Sequence, residues 1–185
     1  MQLPRFVGLV DLGIITIILV AIVLPPREMH ASAAMKGTAA EQYALALSEA
    51  RMLADPTNGE KISELSSRLG NAGFRDWAIE TAVLGAEKAK GAPSRWRALQ
   101  AASVAYVDRL DVHPALEYIV MARSLCEAHR DTCPSWEDIR MQLYHQHLEA
   151  GVKSGIDPRK DPVGFRKAGS RVMPTVHLKR LRGGP

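Results

Sequence analysis

Apolar residues fall into two regimes along the chain. The first is continuous. Phe6–Leu24 reads FVGLVDLGIITIILVAIVL, interrupted by one charge, Asp11. A helix of that length spans roughly 28 Å at about 1.5 Å per residue, close to the hydrocarbon thickness of a bilayer. Pro25 and Pro26 close it. From residue 38 onward the apolar positions recur with helical spacing. They predict helices over 38–54, 59–71, 74–90, 95–109, 112–129 and 135–150. Asp76 and Pro114 sit near helix starts, and Gly70, Gly73 and Gly91 mark turns or frayed ends. Ser135 with Asp138 predicts a capping box. The expected fold class is all-α: one N-terminal transmembrane helix, a helical domain over 38–150, and an irregular basic C-terminal tail over 151–185. A flank at 1–5 and a linker at 25–37 complete the plan.

The helical part repeats at a spacing of 37 residues. Ile62, Leu99 and Trp136 recur, as do Leu65, Ala102 and Ile139, then Leu69, Tyr106 and Leu143. Within each unit the three positions of the first helix share one face. Downstream, Ala78 pairs with Ala115, Ala82 with Ile119 and Gly85 with Ala122. Small residues there allow the close approach of two helices in an antiparallel hairpin. The units are 59–95, 96–132 and a half-unit, 133–150, after which Gly151, Gly155, Pro158 and Pro162 end the pattern. Leu99, Ala102-Ser103 and Tyr106, followed by Ala115, Ile119 and Ala122, resemble the tetratricopeptide repeat. The period is longer than that family's usual 34, and Ile62 and Ser66 depart from its pattern in the first unit. The resemblance implies a concave protein-binding surface that includes Asn71, Arg97, Gln100, Val104, Asp108 and Tyr144. An unrelated helical bundle with accidental periodicity is the alternative.

Charge divides the chain. Residues 27–150 carry 14 basic and 17 acidic side chains, whereas 151–185 hold nine Lys/Arg against Asp157 and Asp161. The basic stretch suits an anionic surface, a partner or plain solubility. It lacks interleaved aromatics and any nucleic-acid-binding motif, so no nucleic acid is expected. Ile156, Val163, Phe165, Val172, Met173, Val176 and Leu178 are more apolar than a spacer requires. The expected tail is solvated and disordered; the alternative, an extended segment over a partner or a short strand at Val172–Leu178 that folds on binding, would use them.

Two readings of Phe6–Leu24 compete. Ala31-Ser32-Ala33 offers a small-x-small signal cleavage site, which would release a soluble secreted domain. The length of the apolar run and the single Arg5 before it favour an uncleaved anchor. The flanking charges barely orient it. The short N-terminal flank places the N-terminus in the cytoplasm of a bacterium and residues 27–185 in the periplasm. Asp11 is costly in lipid unless it reaches the interface or has a function. Leu9-Val10-Asp11, an apolar run and Pro25 resemble the transmembrane helix of the ExbD/TolR family of proton-driven motor subunits. That resemblance implies a proton path through Asp11, although the rest of the chain departs from the family.

Cys126 and Cys133 are the two cysteines. One ends a predicted helix and the other precedes the next, and a turn can bring them within disulfide reach. Buried thiols are the alternative. A zinc site would need four ligands, and beyond His129 none stands out, so no metal is expected. His145 and His147, two apart, face different sides of a helix. No nucleophile, phosphate or dinucleotide motif is present, so neither catalysis, a cofactor nor a small-molecule substrate is expected. The sequence therefore predicts a membrane-anchored interaction protein, an accessory or scaffold subunit of a cell-envelope membrane complex whose partners are other protein subunits. A subunit of an ion-driven machine is the competing reading.

Overall fold

A computed structural model describes residues 37–171. The predicted span Phe6–Leu24, Asp11 and the strand at Val172–Leu178 lie outside the described residues. Among the described residues, no helix is long and apolar enough to cross a membrane. The described chain is all-helical: α1 (Ala39–Ala54), α2 (Gly59–Asn71), α3 (Arg75–Lys88), α4 (Gly91–Asp108), α5 (Val112–Ala128), α6 (Ser135–Lys153) and α7 (Pro162–Ser170). Successive helices pack on each other, and α2 also lies directly against α4.

The 37-residue recurrence is physical. Ser66 Oγ donates to the Ala78 carbonyl at 2.9 Å between α2 and α3. Ser103 Oγ donates to the Ala115 carbonyl at 2.7 Å between α4 and α5, one period later. The expected small residues sit in both interfaces: Ala78, Ala115 and Ala122 are fully buried. A Cβ on Gly85 would run into the Ile62 side chain, which fixes how closely α2 and α3 approach. The hairpin turns recur too. Gly73 and Leu110 both adopt left-handed backbone, with φ of 89° and 67°. Phe74 N donates to the Leu69 carbonyl and Asp111 N to the Tyr106 carbonyl, each at 2.9 Å. These bonds close a Schellman-type end, where glycine avoids the Cβ penalty. Nothing lies within 4 Å of a Cβ added at Gly73. Gly73→Ala is therefore expected to cost about 1 kcal/mol through backbone strain alone, read from urea denaturation.

Three sequence expectations need correction. Ser135 does not cap α6: it is the first helical residue, Pro134 holds the cap position, and no side chain caps that end. The capping box instead starts α1, where Glu41 N donates to Thr38 Oγ1 and Thr38 N donates to the Glu41 carboxylate. Second, residue 151 does not open an irregular tail. Helix α6 continues to Lys153, and α7 follows as a short second helix, capped by Asp161 Oδ1 accepting from Gly164 N at 2.8 Å. Third, Trp136 does not join the repeat's buried face and is 60% exposed. The buried residues of α6 are Glu137, Met141, Leu148 and Gly151, so its inward face is rotated by one residue from the 37-residue register.

Cys126 and Cys133 form a disulfide from the end of α5 to the start of α6, with Cα atoms 5.3 Å apart. Closing so short a loop restricts the unfolded chain, and the stabilisation expected from loop entropy is about 2–3 kcal/mol. A Cys126→Ala/Cys133→Ala double variant should lose that amount, and reductant should then change its stability no further.

Candidate functional site

The candidate site lies on the α2–α4–α6 side. Helices α2 and α4 are in direct contact, while α4 and α6 stand farther apart and are bridged by side chains. Gln100, Val104 and Asp108 form one stripe along α4, about 6 Å from one to the next. Ser63 and Ser67 of α2 flank it on one side, and Arg140 and Tyr144 of α6 on the other. They enclose a groove of about 310 Å³. Four of the six expected contact residues are thus brought together: Gln100, Val104, Asp108 and Tyr144.

The other two lie elsewhere. Arg97 stacks over Trp96, 4.5 Å from the ring centroid, and pairs with Glu60 at 3.6 Å. Asn71 lines a separate depression beside α1, with Glu41 and Arg68. Ser63 and Ser67, which the sequence reading omitted, stand one period before Gln100 and Val104. Stepping back along the repeat would have found them. Arg140 was hidden because α6 is out of register.

The polar groups of the groove differ in how well they are matched. Arg140 Nη2 donates to Gln100 Oε1 at 3.1 Å and pairs with Glu137 Oε2 at 2.6 Å. Its guanidinium also lies 5.6 Å from the Trp136 ring centroid. Ser66 and Ser103 spend their hydroxyl protons on backbone carbonyls. Asp108 carries no ion pair or hydrogen bond among the described residues. Burial raises its pKa, opposed by the field of Arg75. Tyr144 is also pushed well above the ordinary phenol range, by burial and then by the Asp108 charge, while Ser103 nearby acts weakly the other way. No partner completes hydrogen-bond geometry with the Tyr144 hydroxyl.

Beyond this groove, α7 closes the end of the helical layer. A second hollow of about 380 Å³ shares Asp108 and Tyr144 and is bounded by His147, Phe165 and Arg166. His145 Nδ1 lies 2.9 Å from Arg123 Nη1; burial, then Arg123, lowers its pKa. His147 packs beside Gly169 and is likewise lowered, first by burial. The two histidines therefore meet different neighbours. At the hairpin turns, Asp111 joins Arg109 at 2.6 Å and also pairs with Arg159, and Arg109 reaches Asp76 at 2.7 Å. Burial opposes ionisation of Asp111, but the two arginines hold its pKa below the ordinary value. This network ties the three hairpins together. No family model, curated protein or solved structure matches the chain.

Proposed function

We propose that the protein is a membrane-tethered interaction subunit of a cell-envelope complex. In this reading Phe6–Leu24 anchors it, and tetratricopeptide-like hairpins hold a protein partner outside the cytoplasm. The observation that carries the proposal is the α2–α4–α6 groove, in which Gln100, Val104, Asp108 and Tyr144 converge. Its middle is apolar, with Val104 40% exposed, and its rim is polar. That combination suits an extended peptide, whose backbone needs hydrogen-bonding groups and whose side chains need an apolar seat. The Cys126–Cys133 bridge supports an oxidising compartment.

The test places a photo-crosslinking phenylalanine at Val104 of the full chain in its native membrane. A reproducible protein adduct is expected. It should fade when Gln100 and Tyr144 are both changed to alanine, and persist when the distant Glu80 is changed. Adducts with no protein, or an adduct indifferent to the groove residues, would reject the proposal.

A further inference from the structure

The groove contains one charge that is satisfied and one that is not. Arg140 is engaged by Glu137, Gln100 and the Trp136 ring. Asp108, at the other end of the α4 stripe, has no ion pair or hydrogen bond among the described residues. Arg75 supplies a favourable field without approaching within ion-pair distance. Gly70 leaves the carboxylate room: a Cβ there would come within 3.3 Å of Asp108 Oδ2. Among the described residues no group completes hydrogen-bond geometry with the Tyr144 hydroxyl, although Ser103 lies near it. A partly desolvated carboxylate beside an aromatic ring is a seat for a cation, whose charge meets the carboxylate and whose stem packs on the ring.

We infer that the groove selects an extended polypeptide segment that presents a lysine or arginine side chain to Asp108 and an apolar side chain to Val104. The spacing fits. Val104 and Asp108 are one helical turn apart, about 6 Å, and side chains two residues apart on one face of an extended chain are separated by about 6.6 Å. Arg140 favours the opposite choice, an acidic side chain, at its own end of the groove only weakly, because its charge is already matched. An acidic guest would still meet the unpaired Asp108. The inference rests on the groove being a peptide site, as proposed above, and adds the charge of the guest.

The probes are acetylated, amidated peptides of sequence Ala-Leu-Ala-Lys-Ala-Leu-Ala, together with versions in which norleucine or glutamate replaces lysine. Each carries a fluorophore, and binding to the full-length protein in nanodiscs is read by anisotropy. The lysine peptide is expected to bind at least fivefold tighter than the norleucine peptide, and the glutamate peptide weakest. Asp108→Asn should reduce the lysine preference to less than twofold, with an unchanged thermal melt. Ser67→Lys, which sets a competing cation across the groove, should weaken the lysine peptide more than the norleucine one. Equal binding of the lysine and norleucine peptides, a preference that survives Asp108→Asn, or no binding by any peptide would overturn the inference. A protein adduct at Val104 that depends on Gln100 and Tyr144 would, in each of those cases, leave the groove itself standing as an interaction site.

Discussion

Exchanging Trp96 for alanine is expected to lower stability by about 3–5 kcal/mol, the usual cost of deleting a fully buried large aromatic side chain. Trp96 is 0% exposed and belongs to the cluster that joins Ile62 of α2, Ile119 of α5 and Met141 of α6. Among the described residues no other fully buried side chain is larger. A domain of this size has about 5–15 kcal/mol of stability in all, so the alanine variant should sit near the folding limit at room temperature. Its Nε1 finds no acceptor, which makes phenylalanine a telling control. Trp96→Phe removes the unbonded N–H and keeps most of the apolar volume, so its cost should stay below about 1.5 kcal/mol. Urea denaturation followed by circular dichroism measures both. A phenylalanine variant as damaged as the alanine one would show that the indole's shape, and not its apolar bulk, holds the four helices together.

Trp96 also marks where the sequence was hard to read. The predicted helix began at 95 because Gly91 and Pro93 look like breakers. Helix α4 starts at Gly91, since Pro93 falls in the first turn, where a missing N–H costs nothing. With that turn included, Trp96 stands one period after Gly59 and one before Cys133, and all three are buried. The close approach of α2 and α4 depends on the smallest of them: a Cβ on Gly59 would strike the Ser94 backbone. The helices over 39–71 were legible because they carry plain amphipathic spacing and ordinary starts, such as Asn58 accepting from Glu60 N and Lys61 N.

The third unit was less legible because two signals conflicted. Trp136, Ile139 and Leu143 keep the 37-residue spacing and so predict a buried face. Burial follows Met141, Leu148 and Gly151 instead, because α6 must face both α5 and α7. The site shows the same division. Gln100, Val104 and Asp108 could be placed from the repeat alone. Arg140 could not, and neither could the satisfaction of its charge, because that depends on Glu137 and Gln100 meeting across two helices. The helix α7 was hidden by its composition, although Asp161-Pro162 is a sound helix start: an N-cap carboxylate followed by proline at the first helical position.

Phe165→Ala is expected to undock α7. The helix has nine residues, too few to persist in water without tertiary contacts. Its contacts are concentrated at two glycines. Gly151 of α6 leaves the space that the Phe165 ring occupies, and Gly169 of α7 lies against His147, where a Cβ would come within 2.6 Å of its carbonyl oxygen. Removing the ring should cost about 3 kcal/mol or more locally. Hydrogen exchange of the amides in 164–170 should then quicken about a hundredfold, while α2–α5 keep their protection. Gly169→Val should reproduce the effect from the opposite side of the interface. Val163→Ala should not, because Val163 is 65% exposed. The docking should also depend on pH. Burial lowers the His147 pKa from its ordinary 6.5, so the docked state favours the neutral ring. Its contribution is full above that value and is lost as the pH falls through the lower, docked value. Protection of the α7 amides, taken relative to the intrinsic exchange rate at each pH, should therefore fall on acidification below about 6.5, and His147→Gln should flatten that dependence. Unchanged exchange in the Phe165→Ala protein would mean that α7 is held by the Asp111–Arg159 pair at the preceding turn, and not by the ring.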